Sequence, residues 1–266
     1  MNRWGIIILS VIVCIACFAT LIAPHDPWER FAAFQKPDGN HLLGTNDLGN
    51  DILSELIYSS RVSLIVGFGT GVIATVIGAA IGVLSGYFRG VLDDMLMGIT
   101  DIFLMIPRIP LIIVLSAFIR PSYELMTLVL GALWWTQTAR VVRSKVLQVR
   151  EQTFIVSQRS LGFSHARIMI SDVLPNVIHI IIPKFMLTVA SAMIAESSLS
   201  FLGLGDSSAK SWGMMIRYAF ERGGFLQDFW WWYVAPGAAI TITVLSLVIA
   251  GFSEEQRGPE ISAIPG

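Results

Sequence analysis

Arg140-Val-Val-Arg143 opens a basic stretch of the chain, and Ser160-Leu161-Gly162-Phe163 followed by Leu174-Pro175-Asn176 closes it; an apolar run flanks it on either side. Six of the 18 Lys and Arg residues fall within it (Arg140, Arg143, Lys145, Arg150, Arg159 and Arg167), against two acids, Glu151 and Asp172. The rest of the chain is made for another solvent. Of 266 residues, 54% are hydrophobic and 14% charged, against about 25% charged in soluble domains. A lipid-soluble chain rarely keeps a long, charged, patterned segment away from its ends unless something outside the bilayer grips it.

Working outward, six apolar runs are long enough to cross about 30 Å of hydrocarbon. They lie at about 6–23, 62–86, 95–119, 126–142, 177–196 and 233–252, bounded by charge, Pro or Gly. The fold class is therefore an all-α membrane protein. The uncharged run 4–23 is expected to stay as a first span rather than to be cleaved as a signal. The excess of Lys and Arg puts the basic stretch in the cytoplasm. Counting back, the N-terminus is cytoplasmic, 24–61 and 197–232 lie outside, and the tail lies inside, although Glu254, Glu255 and Glu260 outnumber Arg257 there. The two outer segments, 38 and 36 residues long, are too short for a core of their own and are expected to fold back on the membrane face. The chain divides into an N-terminal span with its outer segment, 1–61, and a five-helix core, 62–266, with the basic loop at 143–176.

Composition also excludes. A net charge of −1 gives no electrostatic basis for nucleic acid. No Gly-x4-Gly-Lys-Ser/Thr loop occurs, so any ATP is used by another polypeptide. Cys14 and Cys17 read as small buried apolar residues. His25, His41, His165 and His179 are scattered without ligand spacing, so no metal site is expected. No Ser/His/Asp or paired-carboxylate pattern suggests an enzyme.

Within the spans, Gly67, Gly71, Gly78, Gly82 and Gly86 recur at spacings of four or seven residues, with Ala74 between Gly71 and Gly78. They form a stripe of bare backbone for close helix approach; it serves either static packing or a sliding contact. The run 95–119 holds Asp101, Pro107, Arg108 and Pro110, so it must kink. Asp101 and Arg108 would share a face on an undisturbed helix. Charge at membrane depth marks a polar path or a pair satisfied by other helices. Lys184 beside Pro183 poses the same choice. Trp230-Trp231-Trp232-Tyr233 reads as an interfacial aromatic belt. In the basic stretch, 151–159 can form a short helix, Gly162 a sharp turn, Ser164 the cap of a second helix, and Pro175 the turn into the fifth span.

This stretch resembles the loop of bacterial ABC importer permeases, whose pattern is Glu-Ala-Ala, three residues, Gly, about nine residues, Ile-x-Leu-Pro. Gly162 and Leu174-Pro175 match it, while Val156, Ser157 and Gln158 stand at the Glu-Ala-Ala positions. Further stretches are similar to the second permease of dipeptide, oligopeptide and nickel importers: His41 to Ser54, Ile57 to Leu64, Gly86 to Gly90 with Asp93, Ala139 to Arg143, Leu147 to Phe154, Ser200 to Gly205, Ser211 to Gly213 and Pro236-Gly237. Asn50 stands where that family usually has Arg, and the tail departs from its common ending. The resemblance implies a type I importer transmembrane domain with a coupling helix in the bacterial inner membrane. It implies a heterodimer with a homologous permease, two ATPase subunits that carry ATP and Mg, and an extracytoplasmic binding protein. It points to Phe154, Ser157, Arg159, Leu161 and Gly162 as the ATPase contact. Asp101, Arg108 and Lys184 are the candidates for the path itself. The substrate would be a peptide, nickel or a metal chelate, with the compact length leaning toward the metal branch. The rival reading is an ion-coupled secondary transporter, which would need an inverted repeat and essential intramembrane acids; only Asp101 offers itself.

Overall fold

The computed structural model describes residues 4–116 and 122–255. The end of the expected third span, 117–119, and Glu260 and Arg257 of the tail lie outside the described residues. Eleven α-helices and one π-helical segment make up the described chain: α1 (Trp4–Cys17), α2 (Ala19–Ile22), α3 (Ile52–Phe88), α4 (Gly90–Met105), α5 (Arg108–Ser116), α6 (Tyr123–Val149), α7 (Thr153–Ser160), α8 (His165–Ile168), the π segment (Met169–Val173), α9 (Leu174–Phe201), α10 (Trp212–Glu221) and α11 (Trp230–Glu255).

By length and composition, three described helices can cross a membrane: Ile52–Phe88, His165–Phe201 and Trp230–Phe252. The helices Gly90–Met105 and Arg108–Leu115 are long and apolar enough only when taken together, and they are bent by 73° at the break between them. The six expected spans map onto this unevenly. α1 is a shorter apolar helix of 14 residues, interrupted at Phe18 before α2. α6 contains the fourth expected span but is not among the described helices apolar enough to cross, and it runs on through Arg140, Arg143 and Lys145 toward the basic stretch. The expected kink in the third span is a full break at Ile106-Pro107. Proline disfavours α-geometry in the residue before it, and Ile106 is extended, at φ −77° and ψ 121°.

α3 is the axis of the fold. At 1.5 Å per residue its 37 residues span about 55 Å, well beyond the hydrocarbon. The glycine stripe on it divides between two neighbours. A Cβ at Gly67 or Gly71 would meet Met193, Val189 and Phe185 of α9, whereas one at Gly78, Gly82 or Gly86 would fall on α6, 2.6 Å from the carbonyl oxygen of Trp135 in the first case and of Ala139 in the second. Missing side chains thus let α6 approach α3 backbone to backbone and let side chains of α9 seat on bare backbone of α3, which is how helices associate where lipid gives no hydrophobic drive. α1 packs along α11 and α3, and α9 lies against α11. Cys14 and Cys17 are free and exposed on α1 rather than buried; a helix at the rim of a membrane bundle turns apolar side chains outward to lipid.

The segments 24–51 and 202–229 fold over the ends of α3 and α9 that lie away from the basic stretch. Asp51 caps α3 by accepting from the Ser54 amide at 2.8 Å. Lys210 and Glu55 form a buried ion pair at 2.8 Å, and Arg222 reaches Asp47 at 2.7 Å. Arg61 donates to the carbonyls of Ala16 and Cys17 at 2.8 and 3.0 Å, satisfying the C-terminal end of α1. The tryptophan run is only partly a belt. Trp230 is exposed, but Trp231 and Trp232 are buried, with Trp232 set against Phe34. The folded-back outer layer covers those rings, which a reading of α11 alone cannot foresee.

Candidate functional site

At the basic end, α7, the turn after it and α8 form a knuckle across the ends of α3, α6 and α9. The turn is a complete Schellman closure. Phe163 N–H donates to the Gln158 carbonyl at 3.2 Å and Gly162 N–H to that of Arg159 at 3.1 Å. Gly162 takes φ +81°, the left-handed region that a side chain resists. Ser164 then caps α8 as expected, accepting from the Arg167 amide at 3.4 Å. Pro175 does not make a turn. α8, the π segment and α9 run on as one helix, His165–Phe201. Widening to π geometry just before Pro175 accommodates a ring that would otherwise strike the preceding turn. Asn176 Nδ2 donates to the Asp172 carbonyl at 2.7 Å within that widened turn.

Apolar and polar contacts together seat the knuckle. Ile155 of α7 and Ile168 of α8 are fully buried among Val146, Val149, Val173 and Val177. Gln158 Nε2 donates to Asp172 Oδ1 at 2.9 Å, tying α7 to the π segment. Tyr87, at the end of α3, bonds its hydroxyl to His165 Nδ1 at 3.0 Å, lies under the Arg159 guanidinium at 5.9 Å and accepts from Arg150 through its carbonyl. Burial, together with the neighbouring Arg89 and Arg159, pulls the Arg150 guanidinium below its ordinary pKa. Arg89 pairs with Glu151. One turn deeper, Arg143 grips Asp93 through two bonds of 2.7 Å each, and Ser85 donates to the same carboxylate.

Of the residues expected to meet a partner, Phe154, Ser157, Arg159, Leu161 and Gly162 all lie on the outer surface of this knuckle. Leu161 is 75% and Phe154 43% exposed. Val156, Phe163 and Ile170 extend the apolar face. Arg159 is turned partly inward by Tyr87. No short-range pattern pointed to Tyr87, His165 or Asp172 as seats for the knuckle, because each meets its partner only through the fold.

The three intramembrane candidates separate. Asp101 and Arg108 do not share a face, since the helix breaks between them. Asp101 pairs with Arg140 at 2.6 Å, both about half exposed. Arg108 donates to Thr136 Oγ1 at 3.2 Å and lies over the Trp134 ring at 5.0 Å. Lys184 reaches Gln137 Oε1 at 3.3 Å. Two cations therefore lean on adjacent residues of the polar Thr136-Gln137-Thr138 run.

At the other end the fold gathers residues that the sequence scatters. Ligand atoms of His25, His41 and Asp51 lie within 4.8 Å of one another, where no metal-binding group was expected. Asp38, beside them, accepts from the backbone N–H of His41 at 2.6 Å, which holds its carboxyl below the ordinary carboxylate pKa.

Residues 78–253 match the family described as binding-protein-dependent transport system inner membrane component. The chain is 32% identical over 255 residues to the dipeptide transport system permease protein DppC of Haemophilus influenzae, covering 92% of this chain and 84% of that one. It is 36% identical over 211 residues to the oligopeptide transport system permease protein OppC of Mycobacterium bovis, covering 77% and 72%. Among solved structures, an inward-facing form of the MetNI methionine ABC transporter superposes with a TM-score of 0.65 at 19% identity, over 79% of this chain and 98% of that one. The knuckle, the α3–α6–α9 frame and the bent α4–α5 pair all fall within the matched stretch or beside it, and the chain belongs to the binding-protein-dependent transport system inner membrane components.

Proposed function

We propose that this chain is one permease half of an ATP-driven importer whose substrates are peptides, and that the knuckle around Gly162 is where a cytoplasmic ATPase delivers force. One observation carries this reading. A short helix is clamped rigidly to the ends of three long helices on one side and offers Phe154, Val156 and Leu161 uncovered on the other. Exposed apolar residues beyond the membrane favour a protein partner. The clamp would pass a push on that partner-facing side directly to α3, α6 and α9. The named relatives favour peptides over nickel or a metal chelate as substrate. The partner set follows from the same reading: a homologous permease, two ATP-binding subunits that hold ATP and Mg, and an external binding protein. It also puts the knuckle and the N-terminus in the cytoplasm. In this picture Arg108 and Lys184 line the path and the chain itself hydrolyses nothing.

The test is co-purification and uptake in the reconstituted complex. Phe154→Glu with Leu161→Glu should release the ATPase subunits while the permease pair stays assembled. Full retention of the ATPases and of uptake would overturn the assignment. An ion-coupled carrier, by contrast, would transport without those subunits.

A further inference from the structure

We propose that His25, His41 and Asp51 form a binding site for a divalent transition-metal ion of the zinc, copper or nickel type, which fastens the irregular segment 24–51 to the head of α3. The three residues come from the beginning, the middle and the end of that segment. It carries no helix and only one isolated bridge, Thr45 to Asp51. Its side-chain atoms nevertheless converge, with a ligand atom from each residue inside a 4.8 Å group and His41 and Asp51 buried. The two imidazole rings lie 5.0 Å apart between centroids, and Phe31 packs against both, at 5.0 and 4.6 Å. That apolar wall leaves the nitrogens little water.

The donors are suited to an ion. Asp51 Oδ2 is occupied by the capping bonds from Ser54 N and Oγ at 2.8 and 2.6 Å, which leaves Oδ1 for another partner. That oxygen faces His41 Nδ1 at 2.9 Å, and His25 Nε2 donates to the Asn40 carbonyl oxygen at 3.1 Å, the bond by which the non-ligating ring nitrogen of a metal-bound imidazole is fixed, so Nδ1 is its ligand atom. A metal ion would take the place of the proton between His41 and Asp51 and release it. Two imidazoles and one carboxylate favour borderline ions over magnesium or calcium, which prefer all-oxygen sites. Because the ligands are far apart in sequence, the ion would close a long loop and hold it against α3.

The experiment uses the full chain in detergent, freed of metal by chelator and dialysed against zinc ion alone. About one zinc should be retained per chain, and millimolar magnesium should not displace it. Two variants keep the fold. His25→Phe preserves an aromatic ring beside Phe31, and Asp51→Asn preserves a helix cap, since Asn caps as well as Asp. Both should bind zinc at least about 100-fold more weakly, more than the loss of an outer-shell partner causes, while their metal-free melting temperatures stay near that of the parent. Zinc should also slow proteolysis within 24–51 in the parent only. A parent that retains no zinc, or variants that retain it equally, would overturn the proposal.

Discussion

Gln158 Nε2 donates to Asp172 Oδ1 across 2.9 Å, joining the first helix of the knuckle to the π turn that leads into α9. The turn at Gly162 lies between these two residues, so this bond adds a polar tie between the two arms of the knuckle to the apolar seat of Ile155 and Ile168. A net hydrogen bond contributes about 1 kcal/mol, a severalfold change in the equilibrium constant between the arms joined and the arms parted. Gln158→Leu should keep ATPase subunits bound while lowering uptake per ATP hydrolysed severalfold. The ratio of uptake to phosphate release in proteoliposomes measures this.

Gly162 has nothing within 4 Å of where a Cβ would stand, yet its φ is +81°. Substitution therefore strains only the backbone, by about 1–2 kcal/mol. Gly162→Asn should be tolerated, because Asn visits this region at low cost, and Gly162→Val should lose coupling with assembly intact. Equal uptake for the two variants would show that the left-handed turn is unimportant.

Gly82 is the opposite case. A Cβ there would be 2.6 Å from the Ala139 carbonyl oxygen and 2.8 Å from Val142 Cβ. Gly82→Leu must push α3 away from α6 and should cost about 3 kcal/mol or more, read as loss of monodisperse protein in detergent. Gly98→Ala meets nothing within 4 Å and should behave like the parent.

Arg143 binds Asp93 through both carboxylate oxygens, and Asp93 is buried. Removing Arg143 leaves that carboxylate with Ser85 alone, so Arg143→Ala should lower the thermal midpoint by an amount equivalent to about 2–3 kcal/mol. The double variant Arg143→Ala with Asp93→Ala should recover part of the loss, and a double-mutant cycle reports the coupling.

Asp101 and Arg140 are each about half exposed, and such pairs contribute about 0–1 kcal/mol. Asp101→Asn should therefore leave both assembly and uptake near the parent level. Abolished uptake in an assembled complex would favour the ion-coupled reading instead. Arg108→Ala should reduce uptake without releasing the ATPases, since its partners, Thr136 and the Trp134 ring, belong to α6 and not to the knuckle.

The amino-acid sequence by itself determined the solvent, the helical class, the glycine stripe and the basic knuckle with its turn at Gly162. Each of these is written in composition or in spacings of a few residues, where backbone preference and hydrophobic period act locally. Tertiary structure alone decided the rest. It split the glycine stripe between α6 and α9, carried the helix through Pro175 and buried Trp231 and Trp232. It also brought His25, His41 and Asp51 within reach of one another. These outcomes depend on which surfaces meet after distant segments pack, and on backbone geometry that yields locally to let them meet; neither is encoded in the period of any single run.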